Sequence, residues 1–317
     1  MSIAAVRRRH RRKASTMRTR LALLPAALLL LTTGAAPAAA APGQVLFDDF
    51  SYAGSADPLV GQHGWRIRDY QGGPGVPGAV WSPSQVSFPG SGPGKALRLT
   101  GTTDGTAAGT RQAEISHQRK LFEGTYSARV RFSDRPVWGP DGDRLVQTFF
   151  TITPLAYPRD PDYSEQDFEY LPNGGWGTEG PTMFCTSYET YQADPWWVDN
   201  ESRQEPGSLE GWHVLTLQVV TGTLRYFVDD RLVVEHGGRV YPETRQMINF
   251  SQWFIELVGG GARAYEMDAD WVYHAADERL SPAQVRDRVA AHRGAGRSFL
   301  DTVDPLAGSS IRAVPAI

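Results

Sequence analysis

The sequence predicts an all-β fold, a two-sheet antiparallel β-sandwich of the jelly-roll type with a short C-terminal helix. From Gln44 onward the chain breaks into short alternating or β-branched and aromatic segments, separated by clusters of Gly, Pro, Asn and Asp. Helical periodicity is nearly absent before Ser281. The connections are long and rich in Trp, Tyr, Asp and Gly, as loops carried on a rigid sheet tend to be. Many short strands with long loops, in one chain of 317 residues, fit a double-sheet jelly roll better than a closed barrel or two separate domains.

Taken in order, residues 1–40 read as a signal peptide. Arg7, Arg8, Arg9, Arg11, Arg12 and Lys13 precede an apolar run from Leu21 to Leu31, and Ala-rich sequence follows. That run is well short of the ~20 residues a spanning helix needs. An uncleaved anchor is the alternative, and no second apolar segment follows to support it. Cleavage near Ala40 leaves about 275 residues, enough for one large β domain, placed at 41–276. Strands are expected at 95–101, 124–133, 145–154, 166–171, 212–221, 223–227, 231–236, 246–257 and 265–274, with loops at 71–78, 139–144, 173–181 and 191–210. The segment 277–317 forms a C-terminal helix and tail. Ser281 suits the N-cap, Pro282 the first turn, and Val285 and Val289 recur at helical spacing, so the helix is expected over 281–292.

The net charge of −3 includes the basic leader, so the remaining chain is clearly acidic and nucleic acid is excluded as a partner. After signal cleavage the protein is expected to be extracellular, free of the membrane and monomeric. Cys185 is the only cysteine, which rules out an intramolecular disulfide and suits a small buried apolar residue.

The chemistry concentrates in Tyr163-Ser164-Glu165-Gln166-Asp167-Phe168-Glu169-Tyr170-Leu171. A strand places Glu165, Asp167 and Glu169 on one face and turns Gln166, Phe168 and Tyr170 to the other. Like charges on adjacent same-face positions repel, so a purely structural sequence has no reason to adopt this pattern. Retaining cleavage of a glycosidic bond needs one carboxylate as nucleophile and a second, protonated one as acid. Mutual repulsion raises at least one pKa and so keeps an acid protonated near neutral pH. A metal site is the rival chemistry, but three carboxylates spread over ~13 Å of strand cannot wrap one ion without a turn.

This motif resembles that of glycoside hydrolase family 16, jelly-roll enzymes of the concanavalin A-like lectin and glucanase superfamily whose signature is Glu-x-Asp-x-Glu. The resemblance extends to Phe122-Glu123-Gly124-Thr125-Tyr126, to Trp212-His213-Val214-Leu215 with Leu224–Asp229, and to Asp270-Trp271-Val272, and it runs from about Val45 to His274. It implies Glu165 as nucleophile, Asp167 as its assisting neighbour and Glu169 as acid/base, in a secreted, endo-acting enzyme that cuts a β-linked polysaccharide such as a β-glucan or galactan. Gln166 departs from the family's aliphatic residue. Ser251 stands where the family has an Asn two residues before Trp253, so a sugar-contacting amide is lost or moved. No cofactor is required by this chemistry. A structural calcium near Asp48 or Asp49 and Asp270 is an expectation from the family's ion between its first and last strands.

Sugar rings stack on aromatic faces, so Trp176, Trp196 and Trp197 in the loops after the carboxylate strand, Trp253 on its own strand, and Tyr163 are candidate substrate-binding residues. His213 has no Gly-x-Ser-x-Gly elbow to serve and is expected to support rather than catalyse. Two other functions fit a sandwich: a non-catalytic lectin-like binder, which would not need all three carboxylates, and a lyase using Arg111, Glu114 and His117, which would favour a basic cleft.

Overall fold

The computed structural model describes residues 43–304, so the signal peptide expected at 1–40 and the tail beyond residue 304 lie outside the described residues. The expected sandwich is present. Its front sheet runs, strand beside antiparallel strand, Trp65–Ile67, Arg111–His117, Met247–Glu256, Arg144–Ile152, Glu165–Leu171, Thr182–Gln192 and Trp197–Pro206. The back sheet runs Arg231–Gly237, Thr223–Val228, Gly211–Val220, Gly124–Phe132 and Arg263–Ala276. The far edge of that last long strand is shared by Leu97–Thr103 and Val45–Asp48.

Alternate residues of both sheets point inward. Phe149, Phe168 and Phe250 of the front meet Tyr126, Leu217, Tyr226 and Met267 of the back in one buried cluster, with the Phe168 and Tyr226 rings 5.1 Å apart across it. Cys185 is buried in the same core, as its small apolar character suggests. Gly124 opens the central back strand at φ +138°, where a Cβ would meet the Ala275 carbonyl at 2.1 Å, so only glycine fits this aromatic-x-Gly-x-aromatic step.

The C-terminal helix spans Pro282–Gly294 behind a capping box of Ser281 and Gln284. Val285 and Val289 press it onto Phe47, Trp271 and Tyr273, on the outer face of the back sheet. Beyond it, Phe299–Asp301 adds a strand beside Val45–Asp48. One long expected loop is largely strand. The stretch 191–210 is not a loop, because Trp197–Pro206 pairs along Thr182–Gln192 as the outermost front strand. Its side chains are mostly polar on both faces, which hides the alternation that marks the inner strands.

Candidate active site

Strand Glu165–Leu171 turns Phe168 and Tyr170 into the core and Glu165, Asp167 and Glu169 outward. Inward-facing Gln166 is fully buried, and its Oε1 accepts from Thr151 Oγ1 at 2.8 Å and Gln246 Nε2 at 2.6 Å. An internal polar link thus takes the place of aliphatic packing at that position. Across the outward face, residues align in rows. Glu169 lies beside Thr148, Ser251 and Glu114; Asp167 beside Phe150, Asn249 and Ser116; Glu165 beside Ile152 and Met247. On the other side, Phe184, Thr186 and Tyr188 stand opposite Glu169, Asp167 and Glu165.

The three carboxylates are electrostatically unequal. Burial pushes Glu165 up to about 7, opposed by hydrogen bonds from Tyr163 Oη and from Asp167. Asp167 is driven well above the usual carboxylate range by burial and by the charges of Glu165 and Glu169, and it is hydrogen-bonded to Glu165. Glu169 is pushed up to about 8 by burial and by Glu165, with no hydrogen bond to oppose either. Tyr163, expected as a sugar platform, is instead 1% exposed and spends its hydroxyl on Glu165.

Aromatic residues stand at both ends of the carboxylate row. At the Glu169 end, Trp176 packs edge-on to Phe184 at 5.3 Å and tilts against Trp253 at 5.9 Å. Trp176 occupies the turn of a small hairpin, Gly174–Gly175 with Thr178–Glu179, at φ +50° and is followed by Gly177 at φ +89°. Two positive-φ residues close such a turn, a conformation in which a tryptophan is strained. At the Glu165 end, Tyr163 contacts Tyr191, and Tyr191 contacts Trp196, 68% exposed at the hairpin tip. Trp197 lies on the edge strand, covered on one face by Arg159 at 4.4 Å.

On the side opposite, sequence reasoning named Glu114 only as part of a lyase and missed its partner Arg68. Glu114 pairs with Arg68 at 3.1 Å, and Arg68 lies 4.0 Å from the Trp81 ring while bonding the carbonyls of Tyr70, Gly72 and Gly73. Burial raises the Glu114 carboxyl, Arg68 opposes the rise, and the Glu114 charge adds to the upward push on Glu165. The alternation of 111–117 was the signal that could have found it. Arg111, Glu114 and His117 do not form a lyase triad: Glu114 faces the cleft, His117 is buried against the His63 carbonyl, and Arg111 bonds the carbonyls of Ala108 and Thr110. His213 pairs with Asp229 at 2.9 Å and stacks on Phe132, which packs behind Tyr170.

The residues expected to hold calcium do not fit an ion. Arg293 of the C-terminal helix reaches between them, bonding Asp270 at 2.8 and 3.1 Å and lying 4.0 Å from Asp49, while Arg129 takes Asp270 Oδ2 at 2.8 Å. Asp48 turns away to accept from Trp65 Nε1 and the Phe50 amide. Among the described residues no group of three or more His, Cys, Asp or Glu side chains is placed to hold a metal.

No family model matches the chain. No curated protein matches it in sequence. Solved structures do match in shape. A Bacillus licheniformis β-glucanase superposes with a TM-score of 0.54 at 15% identity, over 74% of this chain and 98% of that one. The fold is that of the β-glucanases. A Bacteroides ovatus mixed-linkage-glucan family 16 protein, in complex with a G4G4G3G product, shares the glucanase fold with a TM-score of 0.54 at 14% identity, over 71% of this chain and 98% of that one. So does an immunostimulatory antigen and pseudo β-1,3-glucanase of Mycobacterium tuberculosis, with a TM-score of 0.53 at 16% identity, over 74% of this chain and 99% of that one.

Proposed function

We propose that the protein is an exported, retaining glycoside hydrolase that cuts a β-linked glucan within the chain. The observation that carries this reading is the unequal setting of Glu165 and Glu169 on one strand. Glu165 receives two hydrogen bonds that favour its ionised form, and Glu169 receives none. Glu165 is therefore the nucleophile and Glu169 the group that remains protonated as acid.

In the first step a Glu165 oxygen attacks the anomeric carbon while Glu169 gives its proton to the departing glycosidic oxygen. In the second, Glu169, now ionised, takes a proton from water as that water displaces Glu165, and the configuration is retained. Asp167 donates a hydrogen bond to Glu165 and so holds the nucleophile in place beside the anomeric carbon. Trp176 with Trp253, and Trp196 with Tyr191, provide stacking faces at the two ends of the carboxylate row. A β-glucan is supported by the shape likeness to a protein named a β-glucanase and to a mixed-linkage-glucan family 16 protein in complex with its product. Export rests on the basic, apolar and Ala-rich order of residues 1–40.

The test is turnover on laminarin and lichenan, because the same fold in a pseudo β-1,3-glucanase makes binding alone an insufficient readout. Glu165→Gln should lose several orders of magnitude of rate, and added azide should not restore it. Glu169→Ala should lose polymer cleavage yet still react with an activated aryl β-glucoside, and azide should then give the β-glycosyl azide. Retention of more than about a tenth of the wild-type rate by Glu165→Gln, a loss of only about 1.4 kcal/mol in the barrier, would overturn the assignment.

A further inference from the structure

The strand Phe299–Asp301 closes over titratable side chains that the proposed reaction does not use. It is held by a three-residue ladder to Val45–Asp48, and its residues alternate: Leu300 packs with the C-terminal helix, while Phe299 packs into the main core. Asp301 stands at the end of a row that runs across the back sheet through Tyr126, His274 and Leu46. Lys120 pairs with Asp301 and donates to the Val303 carbonyl at 3.0 Å, His117 Nε2 lies 3.9 Å from Asp301, and His63 stacks on Phe299 at 3.6 Å.

Among the described residues, three groups that can carry positive charge, His117, His274 and Lys120, thus share a closed interior with one carboxylate. His117 is 1% exposed and His274 fully buried. His117 Nε2 meets the His63 carbonyl at 3.0 Å, and a carbonyl only accepts, so the neutral ring carries its proton on Nε2. His117 Nδ1 and both nitrogens of His274 lack a hydrogen-bond partner among the described residues, so a second proton on either ring is a buried charge with nothing to receive it. The other ionisable groups packed around the pair are Tyr126, 4.2 Å from the His274 ring, and His63, which meets Tyr52 on Asp48 and feels Asp57 and Asp301. Burial holds both rings below the usual histidine range; Asp301 opposes this at His117, and His117 and Lys120 add to it at His274.

We propose that Phe299–Val303 is an acid-released strap, docked while His117 and His274 are neutral and lifted when they take protons, because opening so short a ladder is the least costly way to bring water to the charged rings. Both rings titrate lower in the closed form than in the open one. The strap is therefore held fully above the ordinary histidine value of about 6.5, and its hold weakens as pH falls, down to about 4 for His117 and about 3 for His274. Between pH 7 and 5 the opening equilibrium should rise about twentyfold for each ring freed to titrate.

The strap is independent of the hydrolase reading, and its readout is structural. Hydrogen exchange of the purified protein, corrected for the intrinsic effect of pH, compares protection of residues 299–303 with that of the central strand Gly124–Phe132. Wild type should lose about twentyfold or more of the 299–303 protection between pH 7 and 5 while the central strand holds. His117→Gln keeps a donor for the His63 carbonyl and His274→Leu keeps the interior filled, so the double variant should abolish that loss. Lys120→Met leaves Asp301 to pair with protonated His117, so there the protection should rise as pH falls, and this variant reads the same contacts if the double variant fails to fold. No selective loss in wild type, an undiminished loss in the double variant, or a wild-type response in Lys120→Met would overturn the inference.

Discussion

Removing the Arg293 guanidinium tests how the C-terminal helix is held. Arg293 is a quarter exposed, Asp270 about an eighth and Asp49 still less, so the contacts are largely desolvated. Burial raises the Asp49 carboxyl and Arg293 opposes that rise. Hydrogen bonds to charged groups contribute ~1.5–3 kcal/mol each, and breaking a fully buried pair costs ~3–5 kcal/mol. Asp270 keeps Arg129 after the change, which places Arg293→Ala near the lower end, at about 2–3 kcal/mol. For a chain of this size that corresponds to a melting temperature about 4–8 °C lower, read by differential scanning calorimetry. Arg293→Lys should recover only part of the loss, since a point charge cannot span Asp270 Oδ1, Oδ2 and the Asp270 carbonyl together. Wild-type protein should melt at one temperature in calcium and in chelator. A variant within about 1 °C of wild type, or a wild type destabilised by chelator, would refute the idea that a guanidinium serves as the cation between these strands.

Two further outcomes follow from the cleft. On the proposed mechanism Glu165 acts ionised and Glu169 protonated, so kcat/KM should fall as pH drops through about 7 and as it rises through about 8, with the two limbs belonging to the row as a whole. Glu169→Ala assayed on an activated aryl glycoside should lose the alkaline limb; its persistence would assign that limb elsewhere. Trp176→Gly relieves a left-handed backbone position while deleting a stacking face. The melting temperature should hold within about 2 °C while KM for the polymer rises about tenfold, and an unchanged KM would remove Trp176 from the substrate path.

The sandwich was legible because many of its strands bury one face against the core and therefore alternate, as 97–103 and 223–228 do. The carboxylate row was legible for the same reason, since Phe168 and Tyr170 fix the parity of Glu165, Asp167 and Glu169. The edge strand Trp197–Pro206 was not, because one ladder and no core contact leave its side chains free to be polar. Tyr163 was assigned to sugar by residue type, and only its burial reveals that the hydroxyl serves Glu165. Arg293 and the Gln166–Gln246 link depend on partners far along the chain, a relation that local pattern does not carry.

The first strand, Val45–Asp48, has both of its ladder neighbours near the far end of the chain, Arg263–Ala276 on one side and Phe299–Asp301 on the other. During synthesis this strand emerges long before either partner, and among the described residues no strand made in between pairs with it. Loop closure over more than two hundred residues must come before this edge of the sheet gains any ladder hydrogen bond, which makes its assembly a late and slow event. A chain emerging from a ribosome or a translocation channel therefore cannot finish folding this edge until its last strand is free, so the topology itself delays completion of the sandwich until the far end has arrived.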